Sequence, residues 1–283
     1  MNRSTIRRAL WYILSAAAVV AFLCFAAGAA ALHFRLDDLL WPPSPSEPLP
    51  PATVSSRDTG GSGAIARRVG PETAHCVVFF PGRHGGFTRY ARDLFPSLNA
   101  AGLTVWAVSY AGQDGATGVS TRNTVFPDID RILRFVEGRC PRSQTVFLGR
   151  SLGATVAAVA ASRWHPNGLV LEGAGISLAA AVRGQLRQRW YLRPLELLPI
   201  ERLIGPDFPL EDSLRLYGPS RTVVFQGELD DLAPVSSLRH LAHLGVRLEI
   251  VPAATHTNTY EIAGRALIET LARLSDTAAV SAH

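Results

Sequence analysis

From about residue 64 onward, short apolar runs alternate with stretches of helical period. Ala64–Val69, Cys76–Phe80, Thr104–Ser109, Thr145–Leu148, Gly168–Leu171, Thr222–Phe225 and Arg247–Val251 read as strands. Most show no polar alternation, which suits strands buried on both faces. Between them, Arg89–Ala101, Phe126–Gly138, Leu152–Trp164, Val235–Leu244 and Tyr260–Leu274 read as helices. This order predicts an α/β fold with a doubly wound, mostly parallel sheet. Sites in such sheets lie at the carboxyl ends of the strands, so the residues that follow each strand are where chemistry is expected.

The chain before residue 64 has a different pattern. Leu10–Phe34 is apolar apart from His33 near its end, and about 20 apolar residues suffice to span a bilayer as a helix. Arg3, Arg7 and Arg8 precede it, and basic residues favour the cytoplasmic side. The expected layout is a cytoplasmic stub at 1–9, a signal anchor at 10–34 and the remainder outside, periplasmic in a bacterium. A cleaved signal peptide and a secreted product is the competing reading, because the small residues from Ala26 onward offer cleavage sites. The apolar run is longer than a usual signal core, which favours the anchor. Cys24 follows Ala21-Phe22-Leu23, the wrong order for lipid attachment. Residues 35–63, rich in Pro and then in Gly and Ser, read as a spacer. The folded domain is expected at 64–275, with a tail at 276–283.

Composition narrows the function. The 283 residues are 47% hydrophobic, enough for one large core. The net charge of +5 comes from arginine without any lysine, and it is scattered along the chain. No basic run is interleaved with aromatics, so a nucleic-acid partner is not expected. Cys76 and Cys140 are the cysteines of the exported part, and a disulfide or two buried thiols fit equally well. The spread of Cys and His suggests no metal-ligand cluster.

The strand ends carry the chemistry. Thr145–Leu148 runs into Gly149-Arg150-Ser151-Leu152-Gly153, a G-x-S-x-G turn between a strand and a helix. The five letters alone are weak, since Gly60-Gly61-Ser62-Gly63 in the spacer nearly matches. Context makes Ser151 the candidate nucleophile, with a plain turn serine as the bland alternative. The "PGRHGG" turn, Pro81–Gly86, can aim amides at a developing oxyanion. Arg83, with His84 as second choice, and Leu152 are the expected donors. "QGELDDLAPV" follows Thr222–Phe225 and offers Asp230 as the acid that orients a histidine; Asp231 and Glu172 are alternatives, and Asp230 could also simply cap a helix. "PAATHTNTY" follows Arg247–Val251 and offers His256 as the base. Arg150 has no role from sequence.

Together, "FFPGRHGG", "LGRSLGATVA", "FQGELDDLAPV" and "THTNTY" resemble the α/β-hydrolase superfamily over about residues 64–274, and within it the membrane-anchored Bem46-like branch. Pro81 and Arg83 stand where that branch usually has His and Asn. The resemblance implies a Ser151–Asp230–His256 serine hydrolase acting on an ester or thioester, without metal or cofactor. Residues 176–214, with Trp190, Tyr191, many leucines and several arginines, fall where such enzymes insert a cap. An amphipathic helix pair packed on the sheet is the alternative there. The implied substrate is a small or lipid-like acyl ester. Acyl transfer or peptide cleavage by the same residues is a second reading. A silent interaction protein is a third.

Overall fold

A computed structural model describes residues 3–45, 47–48, 53–55, 62–205 and 207–276. Much of the expected spacer and nearly all of the 276–283 tail lie outside the described residues. The apolar N-terminal run forms one helix, α1 (Arg3–Phe34), followed by a short α2 (Leu36–Leu40).

The runs without alternation form the middle of the sheet, as expected. After β1 (Val54–Ser55) and β2 (Ile65–Val69) come β3 (Cys76–Phe80), β4 (Thr104–Ser109), β5 (Thr145–Arg150), β6 (Gly168–Glu172), β7 (Thr222–Gly227) and β8 (Arg247–Val251). Every residue of β3, β4, β6 and β7 is buried, whereas edge strand β8 exposes Arg247 and Ile250. The strand order is β1-β2-β4-β3-β5-β6-β7-β8. β1 and β2 pair antiparallel, as do β2 and β4; all later pairs are parallel. The sheet is doubly wound and mostly parallel. One core lies beneath α5 (Val125–Glu137) and α6 (Leu152–Trp164), the other beneath α3 (Phe87–Asp93), α4 (Phe95–Ala100) and the C-terminal helix. α5 buries Val125, Ile129, Ile132, Leu133 and Val136, the three-and-four spacing of one helical face.

Three elements differ from the sequence reading. The helix expected at Arg89–Ala101 is two helices, because Pro96 enters the first turn of α4 and interrupts continuation from α3. The helix expected at Val235–Leu244 is a pair of 3₁₀ turns. Ser237 there spends its hydroxyl on the Pro234 carbonyl (2.8 Å), and a segment this short gains little from α-helical cooperativity. The start of the expected spacer is docked on the domain. Leu36, Leu40 and Trp41 are buried, Asp37 pairs with Arg122 (2.8 Å), and the Pro42 carbonyl accepts from Gln113 Nε2 (2.9 Å). The proline-rich composition masked this, since the apolar residues that dock lie just ahead of it.

Within 176–214 the chain forms α7 (Leu178–Arg187), a 3₁₀ turn at Arg193–Leu197 and α8 (Ile200–Ile204). It then enters α9 (Leu210–Tyr217), which packs beside α6. α10 (Thr259–Ser275) closes the fold.

Cys76, opening β3, and Cys140 after α5 form a disulfide across 64 residues. A crosslink over such a loop stabilises by about 2–5 kcal/mol. Excess reductant should lower the urea midpoint of the wild type accordingly. The midpoint of a C76A/C140A variant should not respond to reductant; equal sensitivity of the two proteins would exclude the crosslink.

Candidate active site

β5 delivers Ser151 through a turn that only certain residues permit. Ser151 has φ +52° and ψ −119°, a strained conformation for a side-chain-bearing residue. A Cβ on Gly149 would lie 2.5 Å from the Gly153 carbonyl oxygen, and one on Gly153 would lie 2.1 Å from that of Phe80. Both glycines of the motif are therefore required by packing. The turn ends in α6, whose first amides have no intrahelical acceptor and whose positive end faces the serine.

The three residues expected from separate strand ends meet. Ser151 Oγ lies 2.8 Å from His256 Nε2, and His256 Nδ1 lies 2.8 Å from Asp230 Oδ2. Asp230 is buried, and its carboxylate is fully engaged. Oδ1 accepts from the amides of Leu232 (3.0 Å) and Ala233 (2.8 Å), and Oδ2 also accepts from Gln226 Nε2 (2.8 Å). These donors fix the orientation of the acid. The alternatives lie elsewhere. Asp231 is exposed and meets only Gln188 (3.4 Å) among the described hydrogen bonds. Glu172 Oε1 accepts from the Tyr260 amide (3.2 Å), and Oε2 lies 2.9 Å from Arg150 Nε.

The Pro81–Gly86 turn sits against the serine. A Cβ on Gly82 would approach the Ser151 Cβ to 3.5 Å. The turn is held from below: Tyr110 Oη donates to the Pro81 carbonyl (3.3 Å), Gln113 Nε2 to that of Arg83 (2.6 Å), and Asp114 Oδ1 accepts from Gly86 N (3.0 Å). Arg83 and Leu152 line the same cavity as Ser151; His84 is exposed and does not.

That cavity measures about 240 Å³. Its lining is mostly apolar, with walls from α7 (Leu178, Val182, Leu186) and, unexpectedly, from Leu32, Leu36, Leu39 and Leu40 at the end of α1 and in α2. No carboxylate lines it among the described residues.

Three positions escaped the sequence reading. Gln226 bonds the acid and also receives the Ala174 amide on its Oε1 (3.1 Å). Gly173, at φ +58°, leaves room for the imidazole, since a Cβ there would lie 3.3 Å from His256 Cε1. Arg150 reaches from the elbow to the histidine loop, donating to the Thr257 carbonyl (2.8 Å) and to Tyr90 Oη (2.5 Å). Its Nε contact with Glu172 is close enough for an ion pair but is not aligned as a hydrogen bond. Burial pushes the Glu172 carboxyl up despite the nearby guanidinium. The one usable signal was Arg150 itself, a charged residue inside a buried strand turn.

Arg150 thus ties the elbow to the loop that carries His256. Lysine keeps the charge beside Glu172 but lacks the fork that spans Thr257 and Tyr90. Arg150→Lys should lower kcat by about 10–10²-fold, the cost of a misplaced base, with KM changed by less than about twofold. An unchanged kcat would show that the loop's other bonds, among them Thr255–Asn258 (2.8 and 2.9 Å), hold it without Arg150.

The family described as serine aminopeptidase, S33 (Hydrolase_4) matches residues 71–222, more than half of the chain. Among solved structures, the esterase Pf2001 of Pyrococcus furiosus is similar with a TM-score of 0.64 and 15% identity, covering 83% of this chain and 96% of its own. The thioesterase domain from the curacin biosynthetic pathway gives 0.54 and 16%, covering 78% and 99%. A monoacylglycerol lipase of Paleococcus ferrophilus gives 0.52 and 17%, covering 75% and 99%. At such identities the likeness establishes the α/β-hydrolase fold. No curated protein matches the chain significantly.

Proposed function

The chain belongs to the serine aminopeptidase S33 family of α/β-hydrolases, and from that premise we propose that it is a membrane-anchored serine hydrolase cleaving a carboxylic ester or thioester. The observation that carries this reading is the unbroken Ser151–His256–Asp230 hydrogen-bond chain opening on an apolar cavity. His256 Nε2 takes the Ser151 proton as Oγ attacks the acyl carbonyl. The Leu152 and Arg83 amides receive the oxyanion. His256 then protonates the leaving alkoxide or thiolate. Water, deprotonated by the same histidine, releases the acid from the acyl-enzyme.

Ester cleavage is favoured over the aminopeptidase activity in the family's description. An aminopeptidase must hold a free α-ammonium, which calls for a carboxylate in the site. The described lining of this cavity has two guanidiniums, Arg83 and Arg189, and no acid. The esterase, thioesterase and lipase among the structural neighbours agree with this choice.

Membrane anchoring is supported by α1, whose Arg7–Phe34 portion contains an 18-residue window with a mean hydropathy of 2.3. The basic residues ahead of it and the disulfide support a catalytic domain outside the cytoplasm. The motif resemblance supports a place near the Bem46-like branch. The test is a fluorophosphonate probe on the full chain, with S151A as control. Labelling of wild type alone is expected; equal labelling of both proteins would sink the assignment.

A further inference from the structure

The anchor does more than tether. Arg7–Phe34 comprises 28 residues, about 42 Å of helix against a hydrocarbon core of about 30 Å. The helix is thus longer than the core requires, and the domain grips its C-terminal turns. Leu195 packs where a Cβ on Gly28 would lie 2.5 Å away, and His33 Nδ1 lies 3.1 Å from the Leu203 carbonyl oxygen. Asp37, paired with Arg122, fixes α2 to the domain. Leu32, Leu36, Leu39 and Leu40 then form one wall of the cavity that holds Ser151. Beside this contact Trp190 and Tyr191 are 80% and 56% exposed, as suits side chains at a membrane–water interface.

Two cations face the same cavity. Arg83 and Arg189 both line it, and neither guanidinium has a hydrogen-bonding or ion-pair partner among the described residues. Arg83 Nε is buried and unpartnered. Burial pushes the Arg83 guanidinium down, and the nearby Arg189 charge pushes it further. Arg83 is half-buried and Arg189 exposed at the cavity mouth, so it is the Arg83 charge, with a like charge nearby and no carboxylate beside it, that an anion in the pocket would relieve. Elsewhere the same segment pairs its arginines: Arg183 with Glu201 (2.9 Å) and Arg187 with Glu196 (2.7 Å).

We propose that the pocket selects a single-chain acyl ester bearing an anionic group, phosphate or carboxylate, with its chain against the leucines of α1 and α2 and its anion between Arg83 and Arg189. This rests on the hydrolase reading above. The reaction is unchanged: Ser151 takes the acyl group, the anionic alcohol leaves with the proton from His256, and water releases the fatty acid. Charge-assisted bonds to an arginine distinguish such an ester from its neutral counterpart.

The test uses the full-length protein in neutral phosphatidylcholine vesicles. It compares 1-acylglycerol 3-phosphate with 1-acylglycerol of the same chain, and in a second arm an acyloxyacetate free in solution with its methyl ester. The readout is the ratio of kcat/KM, anionic over neutral. A ratio of about tenfold or more is expected in wild type. Arg189→Gln and Arg83→Gln should each reduce it severalfold, as should high salt. A variant that merely perturbs the fold lowers both rates and leaves the ratio. Preference confined to the first arm identifies a bilayer lipid as the source of the anion, and preference in both identifies anion recognition independent of the membrane. A ratio of one or less in both arms, or a ratio untouched by both substitutions, overturns the inference while labelled Ser151 keeps the hydrolase reading. No turnover of any ester and no labelling would remove both.

Discussion

Replacing Ser151 with alanine is expected to lower kcat for a simple ester by about 10⁶-fold, as loss of a triad serine does in other hydrolases, or about 8 kcal/mol of transition-state stabilisation. The size follows from geometry. Ser151 Oγ stands 2.8 Å from a base that is itself held by a buried acid, so the hydroxyl is activated as well as presented. Alanine keeps the backbone turn, because the strain belongs to φ +52° at this position and the close contacts belong to Gly149 and Gly153. The variant should therefore fold, and its unfolding midpoint is the control. Residual hydrolysis above the water rate is expected from the Leu152 and Arg83 amides. A loss below tenfold in a folded variant would mean that another group, or water alone, attacks the substrate.

The elements most legible in sequence were those dictated by local chemistry. β3 to β7 announced themselves as unbroken apolar runs because they are buried on both faces. The elbow was legible because two glycines bracket a serine between a strand and a helix. His256 and Asp230 could be ranked by chain order and by strand ends, and the structure brings both to Ser151. What escaped is long-range. Gln226 looks like an ordinary strand residue, yet it is fully buried and bridges the acid and the Ala174 amide. Arg150 had no role until the Thr257 carbonyl stood beside it. Leu36, Leu40 and Trp41 looked like the start of a spacer, because nothing local says that Asp37 will find Arg122. Gln113 likewise joins two segments far apart in sequence, donating both to the Pro42 carbonyl and to the Arg83 carbonyl of the Pro81–Gly86 turn. The segment that follows α1 and the turn beside Ser151 thus share one buried side chain.

Asp230→Asn is expected to lower kcat by about 10⁴-fold, the effect of the equivalent change in a serine protease triad. The hydrogen bonds show why so conservative a change costs so much. The Leu232 and Ala233 amides both donate to Oδ1, so an asparagine must present its carbonyl oxygen there. Its NH₂ group then faces His256 Nδ1 and Gln226 Nε2. A donor at Nδ1 forces the imidazole proton onto Nε2, the atom that must accept the proton of Ser151. The base is thereby blocked in its resting state. The NH₂ also opposes Gln226 Nε2, a donor already spent on Asp230 and on the Ala233 carbonyl, so the glutamine must turn and forfeit its bond to the Ala174 amide. The rate of fluorophosphonate labelling should fall with kcat, because both need the same deprotonation. KM should change little, since Asp230 is absent from the cavity lining. Retention of more than a tenth of wild-type kcat would show that the imidazole keeps its tautomer without Asp230, and would turn attention to Glu172, the buried carboxyl nearest in the sheet order.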